Sequence, residues 1–389
     1  MHMVTETSEL AAICEEFAQF PYITVDTEFL RERTYWSQLC LVQMARPGGG
    51  DKDAVLIDPL ADGIDLAPLY ALMANEAVVK VFHAARQDVE IFWHQGKVMP
   101  TPLFDTQVAA MVCGHGEQVG YETLVRKVVN AQVDKSSRFT DWSRRPLSEK
   151  QLVYALADVT HLRDIYEKLS AQIASAGRGH WVAEEMAVLT DPMTYDLTPE
   201  RAWRRVKARA QSPKLLAIVR ELAAWRERMA QERDVPRGRI IKDDALMEVV
   251  SAQPKTPEDL GKLRLLQREA RKPETSKQII EAIAAGLACP KEDRPEITVP
   301  PRRREGAQAI ADLLKVFLKA RAEEIGVAPK LIAPSADLEA LAGEDNPDLP
   351  ALKGWRNEIF GADALRLKTG ELALAVGPGG VQVIEVNPA

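Results

Sequence analysis

The sequence is poor in cysteine and has no long apolar runs. Its four cysteines, Cys14, Cys40, Cys113 and Cys289, are scattered through 389 residues, with no CxxC pair and no histidine cluster at zinc-finger spacing. This excludes a disulfide scaffold and a zinc-finger module, and indicates reduced thiols. No stretch reaches the length of a membrane-spanning helix, and the acidic N-terminus lacks the features of a signal peptide. We therefore expect a soluble, cytoplasmic protein.

The chain also lacks an excess of positive charge. It has 57 acidic and 50 basic residues, which gives a formal net charge of −7. This balance does not by itself indicate a polyanion partner, although a local basic patch can coexist with an acidic whole. The nucleotide-binding pattern GxxxxGK[ST] is missing too, so a helicase is excluded. The 46% of hydrophobic residues is typical of a globular protein with a well-packed core.

The first half of the chain alternates strand-like and helix-like segments. Helical periodicity predicts several helices, of which the longest covers residues 148–174. Four segments rich in β-branched and apolar residues predict strands: ITVDTEF from Ile23, QLCLVQMA from Gln38, AVLIDP from Ala54 and AVVKVFHA from Ala77. This mixture indicates an α/β domain with a mixed sheet flanked by helices, which we expect over residues 1–195.

The second half of the chain is predicted to be almost entirely helical. After a linker, Leu215, Leu216, Val219 and Leu222 recur at the spacing of one helix face. A second, proline-rich linker near residues 290–301 precedes another helical segment. We therefore expect two small all-α bundles, over residues 205–290 and 301–389, with some extended structure in the alternating C-terminal tail.

Two acidic residues interrupt the first predicted strand. Asp26 and Glu28 are two positions apart in ITVDTEF, so their side chains share one face of the strand at close range. Like charges repel there, and burying them without a partner would cost several kcal/mol. A packed strand with this pair needs a compensating group.

Two further acids and a tyrosine complete a candidate set. Asp88 falls in the first turn of a predicted helix, where an acid also simply suits the helix dipole. Tyr154 and Asp158 are four residues apart and share a face of the long helix, where a solvated pair is the alternative. Together, the four carboxylates suit two divalent ions such as Mg²⁺ or Mn²⁺. Tyr154, a weak base at neutral pH, could orient a water molecule.

The order D-x-E, D and Y-x-x-x-D resembles the DEDD exonucleases that carry tyrosine in the third motif. Within them, five segments in the right order resemble the bacterial ribonuclease D family, and the helical units resemble its paired HRDC domains. The segments are VDTEFLRERTYWSQLCLVQ, LIDPL, KVFHAARQDVEIF, FDTQVAA and DKSSRFTDWSRRPLSEKQLVYALADVTHL. The sister subgroup would have histidine at position 153, where this chain has valine.

The resemblance implies an RNase H-like domain with 3′→5′ exoribonuclease activity, using two divalent metal ions. The expected substrates are structured RNAs, above all tRNA precursors with a 3′ trailer, and the expected products are nucleoside 5′-monophosphates. Asp26, Glu28, Asp88 and Asp158 would be the metal ligands, and Tyr154 would hold the attacking water. The family's motif is intact at all five positions.

Some neighbouring residues are candidates for contact with RNA. Thr27, Phe29 and Leu30 lie beside the acidic pair and could contact the terminal nucleotides, with core packing as the alternative for Phe29. Lys135 and Arg138 fall in a segment without periodicity, and either could hold a phosphate. A solvated loop is the alternative for this segment.

Two other functions stay open at this point. A DNA 3′→5′ exonuclease would use the same site on a different polymer, and an RNA-binding scaffold could keep the fold without the chemistry. The intact set of five residues argues against the scaffold. A monomer is the simplest expectation.

Overall fold

The first unit of the fold is built on a six-stranded sheet. The computed structural model describes residues 2–134, 136–207, 212–266, 272–296 and 305–386. The strands of this sheet are β1 (Met3–Val4), β2 (Tyr22–Leu30), β3 (Gln38–Ala45), β4 (Ala54–Ile57), β5 (Val79–Phe82) and β6 (Leu103–Asp105). Their order in space is β1-β4-β3-β2-β5-β6. Strand β3 pairs antiparallel with β2 and with β4. The pairs β1–β4, β2–β5 and β5–β6 are parallel. The predicted mixed sheet is confirmed.

Helices cover both faces of this sheet. They are α1 (Thr7–Phe17), α2 (Ala67–Ala74), α3 (Arg86–Ile91), α4 (Thr106–Val112), α5 (Tyr121–Leu124), α6 (Glu149–Ser175) and α7 (Gly179–Leu189). Single π-helical turns, Phe92–Gly96 and Val125–Val129, extend α3 and α5. On β2, Ile23 and Val25 pack into the core on the α1 side, whereas Thr24 faces α6 and donates a hydrogen bond to the Val159 carbonyl oxygen.

The long helix α6 begins and ends where the sequence predicted. Ser148 caps its N-terminus in a reciprocal arrangement with Gln151, which satisfies backbone N–H groups of the first turn. One stripe of the helix, including Ala155, Leu156 and Val159, packs on apolar residues of β3 and β4. Tyr154 and Asp158 of the candidate site lie in the same turns of the helix. The position of α6 on the sheet is therefore fixed by apolar contacts beside that site.

The first helical unit follows 3₁₀ turns at Pro192–Tyr195 and Pro199–Arg205. It comprises α8 (Pro213–Glu232), α9 (Arg237–Ile240), α10 (Asp243–Ala252), α11 (Pro257–Gly261) and α12 (Pro273–Ala288). The predicted stripe is buried in its core at Leu216, Val219 and Leu222. Gly286 lets α12 approach α8 closely, because a Cβ there would lie 2.6 Å from the Ile218 Cα.

The second helical unit shares its core with the first unit of the fold. It comprises α13 (Ala307–Ile325), α14 (Pro329–Ile332), α15 (Ser335–Gly343), α16 (Gly354–Arg356), α17 (Ala362–Thr369) and a hairpin of β7 (Leu372–Gly377) and β8 (Gly380–Glu385). Trp355 stacks on Trp181 of α7 at 4.5 Å between ring centroids. Arg178 also donates to the Val112 carbonyl oxygen of α4. The hairpin confirms extended structure in the C-terminal tail. Among the described residues, no helix is both long and apolar enough to span a membrane.

The loop between β2 and β3 is anchored in the first helical unit. Tyr35 is 8% exposed and belongs to the hydrophobic core of that unit. Its hydroxyl donates to the buried Glu227 carboxylate and accepts from Arg237 at 2.9 Å. The Asp234 carboxylate accepts hydrogen bonds from the backbone N–H groups of Tyr35 and Trp36, both at 2.9 Å. The strand that carries Asp26 and Glu28 is therefore connected at its end to the helical unit.

Removing the Glu227 charge should destabilise the protein. The side chain of Glu227 is fully buried and pairs with Arg205 and Arg237, so Glu227→Gln leaves positive charge without its partner. We expect a loss of about 3 kcal/mol in the free energy of unfolding, measured by urea denaturation. Glu200→Gln is the control, because it breaks an exposed ion pair with Arg228 and should cost less than about 1 kcal/mol. Equal costs for the two variants would contradict the importance of the buried pair.

Candidate active site

Three carboxylates converge at the junction of β2 and α6. Asp26 and Glu28 project from the same face of β2, and Asp158 projects from α6 toward them. One carboxylate oxygen of each lies within 4.8 Å of those of the other two. Asp26 and Glu28 are half-buried, and Asp158 is 9% exposed. The alternation of β2 and the apolar packing of α6 together place these groups.

Asp88 reaches the same region from the other face of the sheet. It lies in the first turn of α3, is buried, and accepts a hydrogen bond from the Thr27 hydroxyl. Thr27 alternates with Asp26 and Glu28 on β2, so it points to the α3 side. The Asp88 charge still acts on Glu28, and that of Asp26 acts on Asp88. Asp88 therefore lies beside the cluster and is not one of the three residues whose carboxylate oxygens lie within 4.8 Å of one another.

Tyr154 lies one helical turn before Asp158. The two side chains are hydrogen-bonded, and the Tyr154 ring lies 6.0 Å from that of Trp142 between centroids. Burial, followed by the charge of Asp158, raises the pKa of Tyr154 above its usual value. The phenol therefore stays protonated at neutral pH. It can donate or accept a hydrogen bond but cannot serve as a base in this state.

Crowding and burial disfavour the ionised carboxylates. Burial, then the charge of Asp158, raises the pKa of Asp26 well above its usual range, against the lowering effect of the Thr27 backbone N–H. Burial and the charges of Asp26, Asp158 and Asp88 raise the pKa of Glu28 to about 10. Burial also raises the pKa of Asp158 to about 7, although hydrogen bonding from Tyr154 and the charge of Arg138 lower it. Positive charge beside these carboxylates would lower their pKa values again.

The donor set fits a divalent metal ion. All four candidate ligands are carboxylates, and their oxygens are the ligands that Mg²⁺ and Mn²⁺ prefer. The repulsion among them is the type of strain that bound cations relieve. The cluster of Asp26, Glu28 and Asp158 can therefore bind metal, as the sequence predicted.

A cleft of about 330 Å³ opens beside the cluster. Asp26, Tyr154 and Asp158 line one side, and Arg138 also lines it. His83, Gln107 and Tyr121 form part of the remaining wall. The Tyr121 hydroxyl donates to the Ala157 carbonyl oxygen at 2.8 Å, which fixes its ring against α6. The carboxylates thus face a space open to a ligand.

Comparison with known proteins agrees with this site. Residues 1–174 match the family model of a 3′-5′ exonuclease, and residues 215–283 match that of the HRDC domain. Ribonuclease D of Jannaschia sp. (strain CCS1) is 58% identical, over 99% of this chain and 100% of its own. Ribonuclease D of Nitrobacter hamburgensis is 52% identical over the same shares. The chain belongs to the ribonuclease D family.

Membership in the ribonuclease D family confirms the predicted class of enzyme. The protein is a 3′→5′ exoribonuclease with an RNase H-like domain followed by an HRDC domain. The crystal structure of Escherichia coli RNase D, an exoribonuclease involved in structured RNA processing, matches with a TM-score of 0.81 and 30% identity. The match covers 95% of this chain and 98% of that one. The HRDC match lies in the first helical unit, and a second HRDC domain over residues 301–389 stays a prediction.

The predicted RNA contacts lie in different environments. Arg138 lines the cleft with its side chain exposed, whereas the Thr27 hydroxyl is engaged by Asp88. Phe29 is half-buried against the core on the α1 side, and Leu30 against the cluster beneath α6. Lys135 lies outside the described residues. The roles of these residues in binding RNA stay predictions.

The sequence alone did not reveal every polar residue around the site. Gln43 of β3 stands opposite Asp26 in the antiparallel register, and Tyr121 lines the cleft. The signal for Gln43 was the pairing of the first two predicted strands, which aligns its position with Asp26. Asp105 caps α4 by accepting from the Gln107 backbone N–H, and it also accepts from those of Ala84 and Ala85. It therefore fixes the turn that leads into α3.

The raised pKa of Asp158 predicts a pH dependence of folding. A carboxyl whose pKa is higher in the folded than in the unfolded state contributes stability at low pH. That contribution disappears as the pH rises through the folded value. For Asp158 the window runs from about pH 4 to about pH 7.

We therefore expect the metal-free wild type to lose stability relative to the Asp158→Asn variant as pH rises through this window. The measurement is the melting temperature of both proteins, in the presence of a chelator, at intervals between pH 4 and pH 8. The difference between the two curves reports the titration of Asp158 together with its effect on Asp26 and Glu28, whose pKa values its charge raises. Parallel curves would show that Asp158 titrates normally.

Proposed function

We propose that Asp26, Glu28, Asp88 and Asp158 hold two divalent metal ions and that Tyr154 positions the attacking water. The single observation that carries this proposal is the convergence of three carboxylates within 4.8 Å, two of which, Asp26 and Asp158, line a cleft. Unpaired acids at this distance destabilise the fold, and the four-acid set matches the donor preference of Mg²⁺ and Mn²⁺. The intact Y-x-x-x-D spacing supports the role of Tyr154.

The reaction is the hydrolysis of the last phosphodiester bond. Bound divalent ions would supply positive charge for the attacking and leaving oxygens. The water oxygen loses a proton and forms a bond to phosphorus, the bond from phosphorus to the 3′ oxygen breaks, and that oxygen takes up a proton, so no net proton is consumed in forming the 3′ hydroxyl. The products are a nucleoside 5′-monophosphate and an RNA shortened by one nucleotide. Tyr154, held by Asp158 and protonated at neutral pH, orients the water through its hydroxyl.

The proposed substrates are structured RNAs, in particular tRNA precursors with a 3′ trailer. Support comes from the similarity over 95% of the chain to E. coli RNase D, which is described as acting in structured RNA processing. Arg138 supplies a positive side chain at the cleft, and we propose that it contacts a substrate phosphate. The other proposed contacts are Lys135, close to Arg138 in sequence, and Thr27, Phe29 and Leu30 beside the acidic pair. We further propose that the enzyme acts as a cytoplasmic monomer. The four free thiols agree with a reducing compartment.

Substitution of single carboxylates should abolish nucleotide release. We expect Asp26→Asn and Asp158→Asn to lower kcat on a single-stranded RNA by about a thousandfold, because several kcal/mol of charge stabilisation are lost. Asp62→Asn, at an exposed position remote from the cleft, is the control and should behave as wild type. The measurement is release of nucleoside monophosphate from an RNA and from a DNA of the same sequence. Wild-type rates for either variant would refute the assignment, and faster release from the DNA than from the RNA would favour the DNA exonuclease.

Metal binding should also be visible in the stability of the protein. Mn²⁺ binds only the folded state of such a site, so it should raise the melting temperature. Glu28→Gln removes one ligand and should reduce this rise, whereas Glu32→Gln, on the exposed loop after β2, should leave it unchanged. The measurement is thermal unfolding with and without Mn²⁺. If saturating Mn²⁺ left the melting temperature of the wild type unchanged, this would favour an RNA-binding scaffold without catalysis.

A further inference from the structure

Gln43 is a fully buried amide beside the candidate metal site. It lies on β3, is 0% exposed, and pairs in register with Asp26 of β2. Residues directly opposite in an antiparallel pair project from the same face, with their Cβ atoms about 4.5–5.5 Å apart. Neither the Nε2 nor the Oε1 atom of Gln43 has a hydrogen-bond partner among the described residues.

Most of the other neighbours of Gln43 on this face are apolar. Its second partner across the strands is Leu56 of β4, and Leu41 and Ala45 lie two positions away along β3. Two polar side chains of β2 lie diagonally opposite it. Thr24 already donates its hydroxyl hydrogen to the Val159 carbonyl oxygen, and Glu28 is itself one of the three clustered acids. Asp26 is therefore the polar side chain directly opposite Gln43 in the sheet.

Packing does not account for an amide at this position. A buried amide without partners has lost its hydrogen bonds to water and gained none in return. Methionine has nearly the same shape and volume and would fill the same space without this cost. For the stability of the fold alone, an apolar side chain would be more favourable at this position than glutamine.

We propose that Gln43 is a positioning residue for Asp26. The Nε2–H group of Gln43, which is unpaired in the structure, would donate to the Asp26 carboxylate once cations are bound, and this contact would fix the orientation of the carboxylate as a ligand. Carboxylates that bind metal are themselves commonly held by hydrogen bonds from outside the ligand set. The inference rests on the proposed function, in which Asp26 is a metal ligand.

The test is Gln43→Met in the full-length protein. Without metal, the melting temperature should rise by about 2–4 °C, because an unpaired buried amide is replaced by an apolar group. In contrast, kcat on a single-stranded RNA should fall by about 10- to 100-fold, and the affinity for Mn²⁺, measured by calorimetry, should weaken by about tenfold. The KM for RNA should stay within twofold. A change of stability and activity in opposite directions distinguishes positioning from a structural role.

Two further variants make the outcome decisive. Leu56→Met changes the other neighbour of Gln43 across the strands by a volume-conserving substitution, and should keep both kcat and Mn²⁺ affinity. Wild-type kcat and Mn²⁺ affinity in Gln43→Met would overturn the proposal. So would a lower melting temperature with activity reduced in parallel, since that indicates a structural role. Asp26→Asn separates the two hypotheses: if it is active, the proposed function fails, and if it is inactive while Gln43→Met is active, only the role of Gln43 fails.

Discussion

Electrostatic repulsion among carboxylates held close together is the constraint around which the catalytic unit is organised. Asp26, Glu28 and Asp158 have oxygens within 4.8 Å of one another, and Asp88 adds its charge from the opposite face of the sheet. In water such groups would move apart or remain hydrated. Here the backbone of β2 and the packing of α6 prevent this, so their pKa values rise instead. The fold thus holds acids whose mutual repulsion can be relieved by protonation or by a bound cation.

The rigidity that maintains this arrangement comes from apolar packing. Ile23 and Val25 bury one face of β2, and the stripe of α6 with Leu156 and Val159 covers the sheet on the other. The free energy of this burial exceeds the cost of the acids that it fixes in place. Gln43 belongs to the same layer, so the amide and the carboxylate opposite it are placed by one strand pairing. The arrangement of the carboxylates is consequently a product of core packing.

Both helical units are joined to the catalytic unit through hydrophobic cores. Tyr35 inserts into the core of the first helical unit, and the chain from Glu28 to this anchor is only seven residues long. The second unit shares a hydrophobic core with α4 and α7, where Trp181 stacks on Trp355. Movement of either unit would therefore act on elements next to the cleft.

Local patterns in the sequence were sufficient for the elements and for the identity of the five motif residues. The alternation of β2, the pairing segment Gln38–Ala45 and the periodicity of α6 depend on neighbours within a few positions, so they can be read along the chain. The same local rules could not place Thr27 against Asp88, which is 61 residues away, or Tyr35 against Glu227, which is 192 residues away. From the same rules we expected the second helical unit to form its own bundle. In the structure it packs on the first unit of the fold. The sequence by itself determined which residues can bind metal and which segments carry them. Only the tertiary structure decided which of them meet and which hydrogen bonds hold them, because those contacts depend on the register between strands and the docking of distant helices.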